Sequence, residues 1–469
     1  MVAPSPHHLG PGRAGDTDLA GRVAEIVGAE DSGYRGLSVA LVDRSGTRTA
    51  DVGDLAGGRM FEIGSVTKVL TGMLLAELVA DGTVQADDTL SELLPDVRFA
   101  DPRVGAVTLA ELAAHRSGLP RLGGLGPGAA FTSGWANVRG ANPYGEDVDE
   151  LLRQAADARV GSGRGEVRYS NFGMALLGQA LAARAGTSYP ELVATRILRP
   201  LGMSDTVLAG SPAGSAQGST ASGRPVDAWA GAGYAPAGVG PRSSVADLAK
   251  LVAAMLEGSA PGAAAATPRW EAGDGRRIGY AWFTDRSGDR EITWHNGGTG
   301  GFRSYVGFDR ESGEGVVVLG NTTRDVEWIG RRLLGQRAEP SGAGPGWWMV
   351  VVTLGLVLSV VVSLPALALS RAQDARWWAA APDRARVASS VLSTTAVALL
   401  AHRVGDWLSV PPVVWASAVG AAVAGLVLLG VRWRELPLLA SGRPVLRWSG
   451  TAASITVSLL LIVAVLASW

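Results

Sequence analysis

Ser65-Val66-Thr67-Lys68 places a hydroxyl and a primary amine three residues apart at the head of an apolar run, and it is the only Ser-x-x-Lys in the chain. On a helix, position i+3 returns to the same face one turn on, so the Lys68 ammonium can reach Oγ of Ser65. A serine hydroxyl is a weak nucleophile until a neighbouring base takes its proton. Lysine serves as that base once burial or nearby cations bring its pKa down from ~10.4. Arginine, which keeps its proton in proteins, cannot. The chain holds only two lysines, Lys68 and Lys250, among its 42 basic residues. Where arginine is used almost everywhere, a retained lysine is a candidate for a task that guanidinium cannot perform. The lead-in Phe61-Glu62-Ile63-Gly64 sets Ser65 at a loop-to-helix junction, where free backbone N–H groups and the helix dipole favour developing negative charge. The competing reading of the same residues is a helix N-cap followed by a solvated first-turn lysine.

Two further clusters could serve the same chemistry. Tyr169-Ser170-Asn171 follows a glycine-rich stretch, 161–165, and precedes a helical run, 172–183. A phenol beside a lysine can relay a proton to a leaving group, and an amide side chain can bind a substrate amide through its donor and acceptor together. A buried tyrosine next to an Asn helix cap fits the same pattern. His295-Asn296-Gly297-Gly298 closes an apparent strand, 291–295. Glycines there let a substrate backbone lie against the strand edge, with N–H groups aimed at an oxyanion. A lone histidine at a strand end more often serves packing.

The elements that must position these groups lie within residues 18–335. A helix at 19–27 is followed by β-like runs at 37–42 and 47–52, joined through Asp43-Arg44-Ser45-Gly46 as a hairpin. An apolar helix spans 65–80, and mostly helical segments with Gly/Pro loops continue to about residue 256. Strand-like runs return at 278–284, 291–295, 302–308 and 315–319, before a last helix near 325–334. A sheet built from the two ends of the region around a helical insert is an α+β arrangement.

Taken in this order, Ser65-x-x-Lys68, Tyr169-x-Asn171 and His295-x-Gly297 resemble the three active-site motifs of the serine β-lactamase and penicillin-binding protein superfamily. The similarity is greatest to the class C β-lactamase-like branch, which includes D-alanyl-D-alanine carboxypeptidases and esterases. His115-Arg116-Ser117-Gly118-Leu119-Pro120 resembles that branch's His-Thr-Ser-Gly-Leu-Pro segment, with Arg116 in the Thr position, and is read as structural. The resemblance implies a β-lactamase/transpeptidase-like fold, with Ser65 as the acylated nucleophile, Lys68 as its base or proton partner and Tyr169 as a second proton-transfer group. It also implies Asn171 as binder of a substrate amide, His295 and Gly297 lining the substrate edge, and an oxyanion hole from the N–H groups of Ser65 and Gly298. His295 stands where class C β-lactamases carry lysine, as in the carboxypeptidase and esterase members. A mostly neutral imidazole supplies less fixed charge for a substrate carboxylate, which puts efficient β-lactam hydrolysis in doubt.

Composition narrows the rest. A net charge of -1 over 469 residues suggests no nucleic-acid partner, and zero cysteines remove disulfides, thiolate metal sites and cysteine nucleophiles. The five histidines are scattered, so no metal or other cofactor is expected. A Pro/Gly linker at 336–346 precedes four expected transmembrane helices, at about 347–369, 387–401, 410–431 and 450–469, of which the second is a shorter, Ser/Thr-containing candidate for a hydrocarbon core of ~30 Å. Nine of the 15 tryptophans lie in or beside them (Trp347, Trp348, Trp377, Trp378, Trp407, Trp415, Trp433, Trp448 and Trp469), as expected of interfacial belts. Arg371, Arg376, Arg384 and Arg386 fall between the first two spans, and Arg432, Arg434, Arg443 and Arg447 between the last two. Positive loops stay in the cytoplasm, which puts the region 18–335 outside it. Residues 1–17 read as a disordered leader whose first 16 residues hold no apolar signal core, so the expectation is a true start further upstream. The expected protein is a multi-pass cell-membrane serine hydrolase acting through an acyl-enzyme, with lipid around its helices and a D-Ala-D-Ala type peptide as substrate. The alternatives are an esterase or weak β-lactamase on the same residues, or a membrane β-lactam sensor.

Overall fold

The computed structural model describes residues 5–55, 58–124, 136, 140–210, 212–287, 290–340, 346–370, 383–438 and 444–466. It divides into two compact units, His7–Ser341 and one made of Met1–Pro6 with Gly342–Trp469.

Among the described residues the first unit is built on eleven strands: β1 (Arg13–Gly15), β2 (Gly36–Asp43), β3 (Gly46–Gly53), β4 (Phe61–Glu62), β5 (Arg242–Ser243), β6 (Trp270–Glu271), β7 (Arg277–Ile278), β8 (Phe283–Ser287), β9 (Arg290–Gly298), β10 (Arg303–Asp309) and β11 (Glu314–Gly320). Nine of them form one antiparallel sheet in the order β1-β3-β2-β11-β10-β9-β8-β7-β6, while β4 and β5 pair by themselves. The two ends of the region meet where Val39 of β2 lies opposite Val318 of β11.

Period-two alternation explains why both faces are covered. Leu37, Val39 and Leu41 of β2 and Val316 and Val318 of β11 join one buried cluster with Leu19 and Val23 of α1 (Thr17–Val27). Ala40, Val42, Val317 and Leu319 point the other way. They pack in a second cluster with α2 (Thr67–Ala80), α3 (Asn171–Ala185) and α4 (Val245–Glu257). Full burial of one such side chain contributes roughly 1.5–3 kcal/mol. A last helix, α5 (Glu327–Leu333), returns to the α1 side.

Three expectations change. The run 278–284 is two strands, not one: Gly279 N–H donates to the Trp282 carbonyl across a turn in which Ala281 has φ of 64°. The supposed leader contributes β1, whose Arg13 pairs with Val52 of β3. The helix drawn from Ser65 begins instead as a 3₁₀ turn, Gly64–Val66, before α2 proper.

The second unit holds α6 (Gly346–Leu369), α7 (Arg384–Val404), α8 (Pro412–Val431) and α9 (Pro444–Leu466). Each contains a stretch long and apolar enough to cross a membrane. The second runs three residues further at each end than its apolar core suggested, the fourth begins earlier, and residues 467–469 lie outside the described residues. So do Arg371, Arg376, Arg443, Trp377 and Trp378. Hydroxyls join the helices: Ser363 to Thr394 at 2.7 Å, and Ser393 to Ser458 at 3.0 Å. Such contacts associate helices where lipid removes the hydrophobic driving force.

Candidate active site

Ser65 lies in the 3₁₀ turn with no side-chain cap at that turn or at α2, so the N-cap reading fails. The turn is pressed against the end of β9. Ser304 Oγ donates to the Ile63 carbonyl at 2.7 Å. A Cβ on Gly297 would stand 2.2 Å from that same carbonyl oxygen, and one on Gly64, where φ is 49°, would stand 2.7 Å from the Gly298 nitrogen. Only glycine permits this approach, and it brings the main chain of β9 beside the Ser65 turn.

Lys68 is fully buried, which excludes a solvated first-turn role. Its Nζ lies 2.8 Å from Ser65 Oγ and donates to the Ala237 carbonyl. Among the described residues no carboxylate pairs with it. Burial, and then the charge of Arg121, hold its pKa well below the ordinary lysine value of 10.5. A neutral amine at this distance has a lone pair for the Ser65 proton. The loop that presents Ala237 is itself fixed: Thr71 Oγ1 of α2 donates to the Pro236 carbonyl at 2.8 Å. Further along it, β5 pairs with β4 and the Arg242 guanidinium meets the Glu62 carboxylate at 2.9 Å, both almost fully buried.

Tyr169 is brought to the same point. Its phenol is hydrogen-bonded to Ser65, and Lys68 Nζ stands 5.0 Å from its ring centroid. Desolvation pushes the phenol pKa up, outweighing the Ser65 hydrogen bond and the Arg121 charge, so the group keeps its proton and can donate it. Ser170, not Asn171, caps α3, accepting from Gly173 N–H at 2.8 Å. Asn171 is thereby left at the first helical position, its side chain hydrogen-bonded to Tyr144 and its Oδ1 buried without a partner. That open acceptor suits a substrate amide N–H.

The two histidines are both neutral. His295 is buried; burial and the Lys68 charge bring its pKa down to about 3. Its Nδ1 faces the Asn296 carbonyl at 2.5 Å, which assigns the proton to Nδ1 and leaves Nε2 as an unpartnered acceptor. His115, with φ of 57°, accepts from Ser170 N–H on Nδ1 at 3.2 Å, and its ring lies 4.4 Å from that of Tyr169. It thus positions Tyr169, in keeping with the structural reading of its segment.

Ser65, Lys68, Tyr169, Asn171, His295, Gly297 and Gly298 therefore converge on one site. Three participants escaped sequence reasoning: Ala237, Tyr144 and Arg121, whose guanidinium carbon stands 5.3 Å from the Tyr169 ring. Arg121 directly follows the His115–Pro120 segment, which was the available signal.

The Beta-lactamase family model matches residues 20–337. D-alanyl-D-alanine-carboxypeptidase/endopeptidase AmpH of Escherichia coli (strain K12) is 31% identical over 208 residues, covering 42% of this chain and 51% of that protein. The chain thus spans about half the length of this relative. The crystal structure of D-alanine carboxypeptidase AmpC from Burkholderia cenocepacia matches with a TM-score of 0.56 at 23% identity, over 68% of this chain and 99% of that one. A class C beta lactamase from Rhodobacter sphaeroides matches with a TM-score of 0.55 at 21% identity, over 66% and 95%. At these identities the two structures speak to the fold.

Proposed function

The chain belongs to the Beta-lactamase family, and from that premise we propose that it is a membrane-anchored serine hydrolase of the D-alanyl-D-alanine carboxypeptidase kind, working through a Ser65 acyl-enzyme on cell-wall type peptides. The observation that carries the proposal is the buried Lys68 amine, without a counter-ion among the described residues, 2.8 Å from Ser65 Oγ.

Neutral Lys68 takes the Ser65 proton as Oγ attacks the substrate carbonyl carbon, and the carbonyl π pair moves to oxygen. The N–H groups of Ser65 and Gly298 face that oxyanion. As the tetrahedral adduct collapses, the C–N bond breaks and Tyr169 O–H gives its proton to the leaving amine, recovering one from the Lys68 ammonium. Water then attacks the ester, and its proton passes through the same pair as Ser65 is released. Asn171 holds the substrate amide meanwhile.

Neutral His295 favours a second reading, an esterase or weak β-lactamase. It offers no fixed charge to a carboxylate on the leaving side. One experiment separates the two. The full chain in detergent and its Ser65→Ala variant are offered a D-Ala-D-Ala peptide, a labelled penicillin and short aryl esters. Peptide release that Ser65→Ala abolishes supports the carboxypeptidase reading, ester-only turnover supports the second, and inertness to every probe overturns both. For topology we propose that the catalytic unit is extracytoplasmic. The native chain has no cysteine, so single cysteines placed in that unit report its side by labelling with an impermeant maleimide. Labelling only after lysis would sink the proposal.

A further inference from the structure

Arg121 is an exposed arginine at the rim of the site, and its setting is unusual among the cations there. Its backbone is built into the catalytic frame: its carbonyl accepts both the Asn171 N–H at 3.0 Å and the Phe172 N–H at 3.2 Å. The preceding carbonyl, of Pro120, accepts from Ser170 Oγ at 2.7 Å. The loop carrying Arg121 is thus laced to the first turn of α3, next to the amide that would hold the substrate. From this anchored backbone the guanidinium reaches to 5.3 Å from the Tyr169 ring.

No carboxylate among the described residues pairs with this guanidinium. The neighbouring cations are already committed. Arg303 donates to the carbonyls of Thr299 and Phe302, at 2.9 and 2.8 Å. Arg242 is paired with Glu62, and Arg116 donates to the Gly165 carbonyl. His295 and His115 carry no charge at neutral pH. Among the described residues, the one arginine beside the reacting groups whose guanidinium has neither a carboxylate nor a carbonyl partner is therefore Arg121, and it stands on the Asn171 side of the site. A guanidinium left open in this way offers a planar fork of donors to a carboxylate.

We propose that Arg121 is a specificity-determining residue that captures an anionic group on the acyl portion of the substrate, beside Asn171. The substrate class is then an acyl donor carrying a free carboxylate on the side that becomes esterified to Ser65. The inference rests on the serine-hydrolase reading only in naming which half of the substrate is the acyl half. The same charge also helps to keep Lys68 unprotonated, so an arriving carboxylate that neutralises it would make the amine a stronger base.

The test uses two esters of one shape: the mono-para-nitrophenyl ester of adipic acid, anionic at its far end, and its neutral methyl ester. Binding is measured by calorimetry to the full-length Ser65→Ala chain in detergent, which removes turnover. A roughly tenfold tighter Kd for the anionic ester is expected, a preference that salt weakens. Arg121→Gln in the same background should bring the two Kd values together by weakening only the anionic ester, and Arg121→Lys should keep part of the preference. Equal affinity of the two esters, or an Arg121→Gln loss shared by both, overturns the proposal. Turnover by the chain with native Ser65 is followed in parallel. If neither ester is cleaved while the carboxylate preference persists, the hydrolase reading falls and the role of Arg121 stands.

Discussion

Two helix starts in this protein carry the same spacing with opposite outcomes. Lys68 opens α2 three residues after Ser65, and Lys250 lies in α4 three residues after Asp247. Both amines reach back one turn, to 2.8 Å from Ser65 Oγ and to 2.7 Å from Asp247 Oδ1. Yet the Lys250 side chain is 46% exposed and faces a carboxylate, whereas Lys68 is fully buried with a hydroxyl and a carbonyl as neighbours. A charged partner and water stabilise the ammonium; burial without a counter-charge destabilises it. Spacing brings the groups together, and surroundings decide whether the result is an ion pair or a reagent.

The sharpest way to break this contrast is to exchange the amines. Lys68→Arg keeps a long basic side chain but one that cannot lose its proton, and should lower the rate of Ser65 acylation by about 10²–10⁴. Stopped labelling with a fluorescent penicillin, or single-turnover ester cleavage, measures it. A rate within threefold of the unaltered chain would remove Lys68 as the base. At the other helix the expected loss is in stability. Asp247 is buried and also accepts from the N–H groups of Asp205 and Thr206 and from Thr206 Oγ1. Asp247→Ala should cost about 3 kcal/mol in urea unfolding of the full chain, against under about 1 kcal/mol for Lys250→Met.

Acidity sharpens the comparison next. The acid limb of kcat/KM should follow Lys68 and lie well below the ordinary lysine value of 10.5. Its sign is fixed: activity requires the neutral amine and rises as pH passes upward through that pKa. Removing a nearby cation favours the ammonium, so Arg121→Gln should move the limb to higher pH, as a pH series on a neutral ester would report. Movement to lower pH, or none, would contradict the electrostatic role of Arg121. The smallest effect belongs to Lys250→Arg, which should leave turnover unchanged and stability within about 0.5 kcal/mol.

What could be read in the chain beforehand follows the same division. The three motifs were legible because proton transfer and oxyanion stabilisation restrict which side chains can serve and because order along the chain limits coincidence. The hairpin of β2 with β3 and the strands β9 to β11 were legible from alternation. Illegible were contributions made by main chain or by distant contacts. The Ala237 carbonyl that receives Lys68 has no side-chain signature, and Arg121 is one guanidinium among many until α3 is seen to anchor its carbonyl. The turn that splits 278–284 depends on a positive φ at Ala281, whose N–H donates to the Ala113 carbonyl far away in sequence. The pairing of β1 likewise needs β3 already in place.

The contact between the Ser65 turn and the end of β9 has a bearing on how such a protein can change over generations. There Gly64 and Gly297 leave no room for a side chain, so the wall at the proposed oxyanion site is made of backbone that substitution cannot decorate. Exchanges at the exposed Arg121 meet no such barrier. On the proposed reading, new substrates can be tried at the entrance while the charge-stabilising pocket is inherited unaltered, and preference becomes free to drift faster than chemistry.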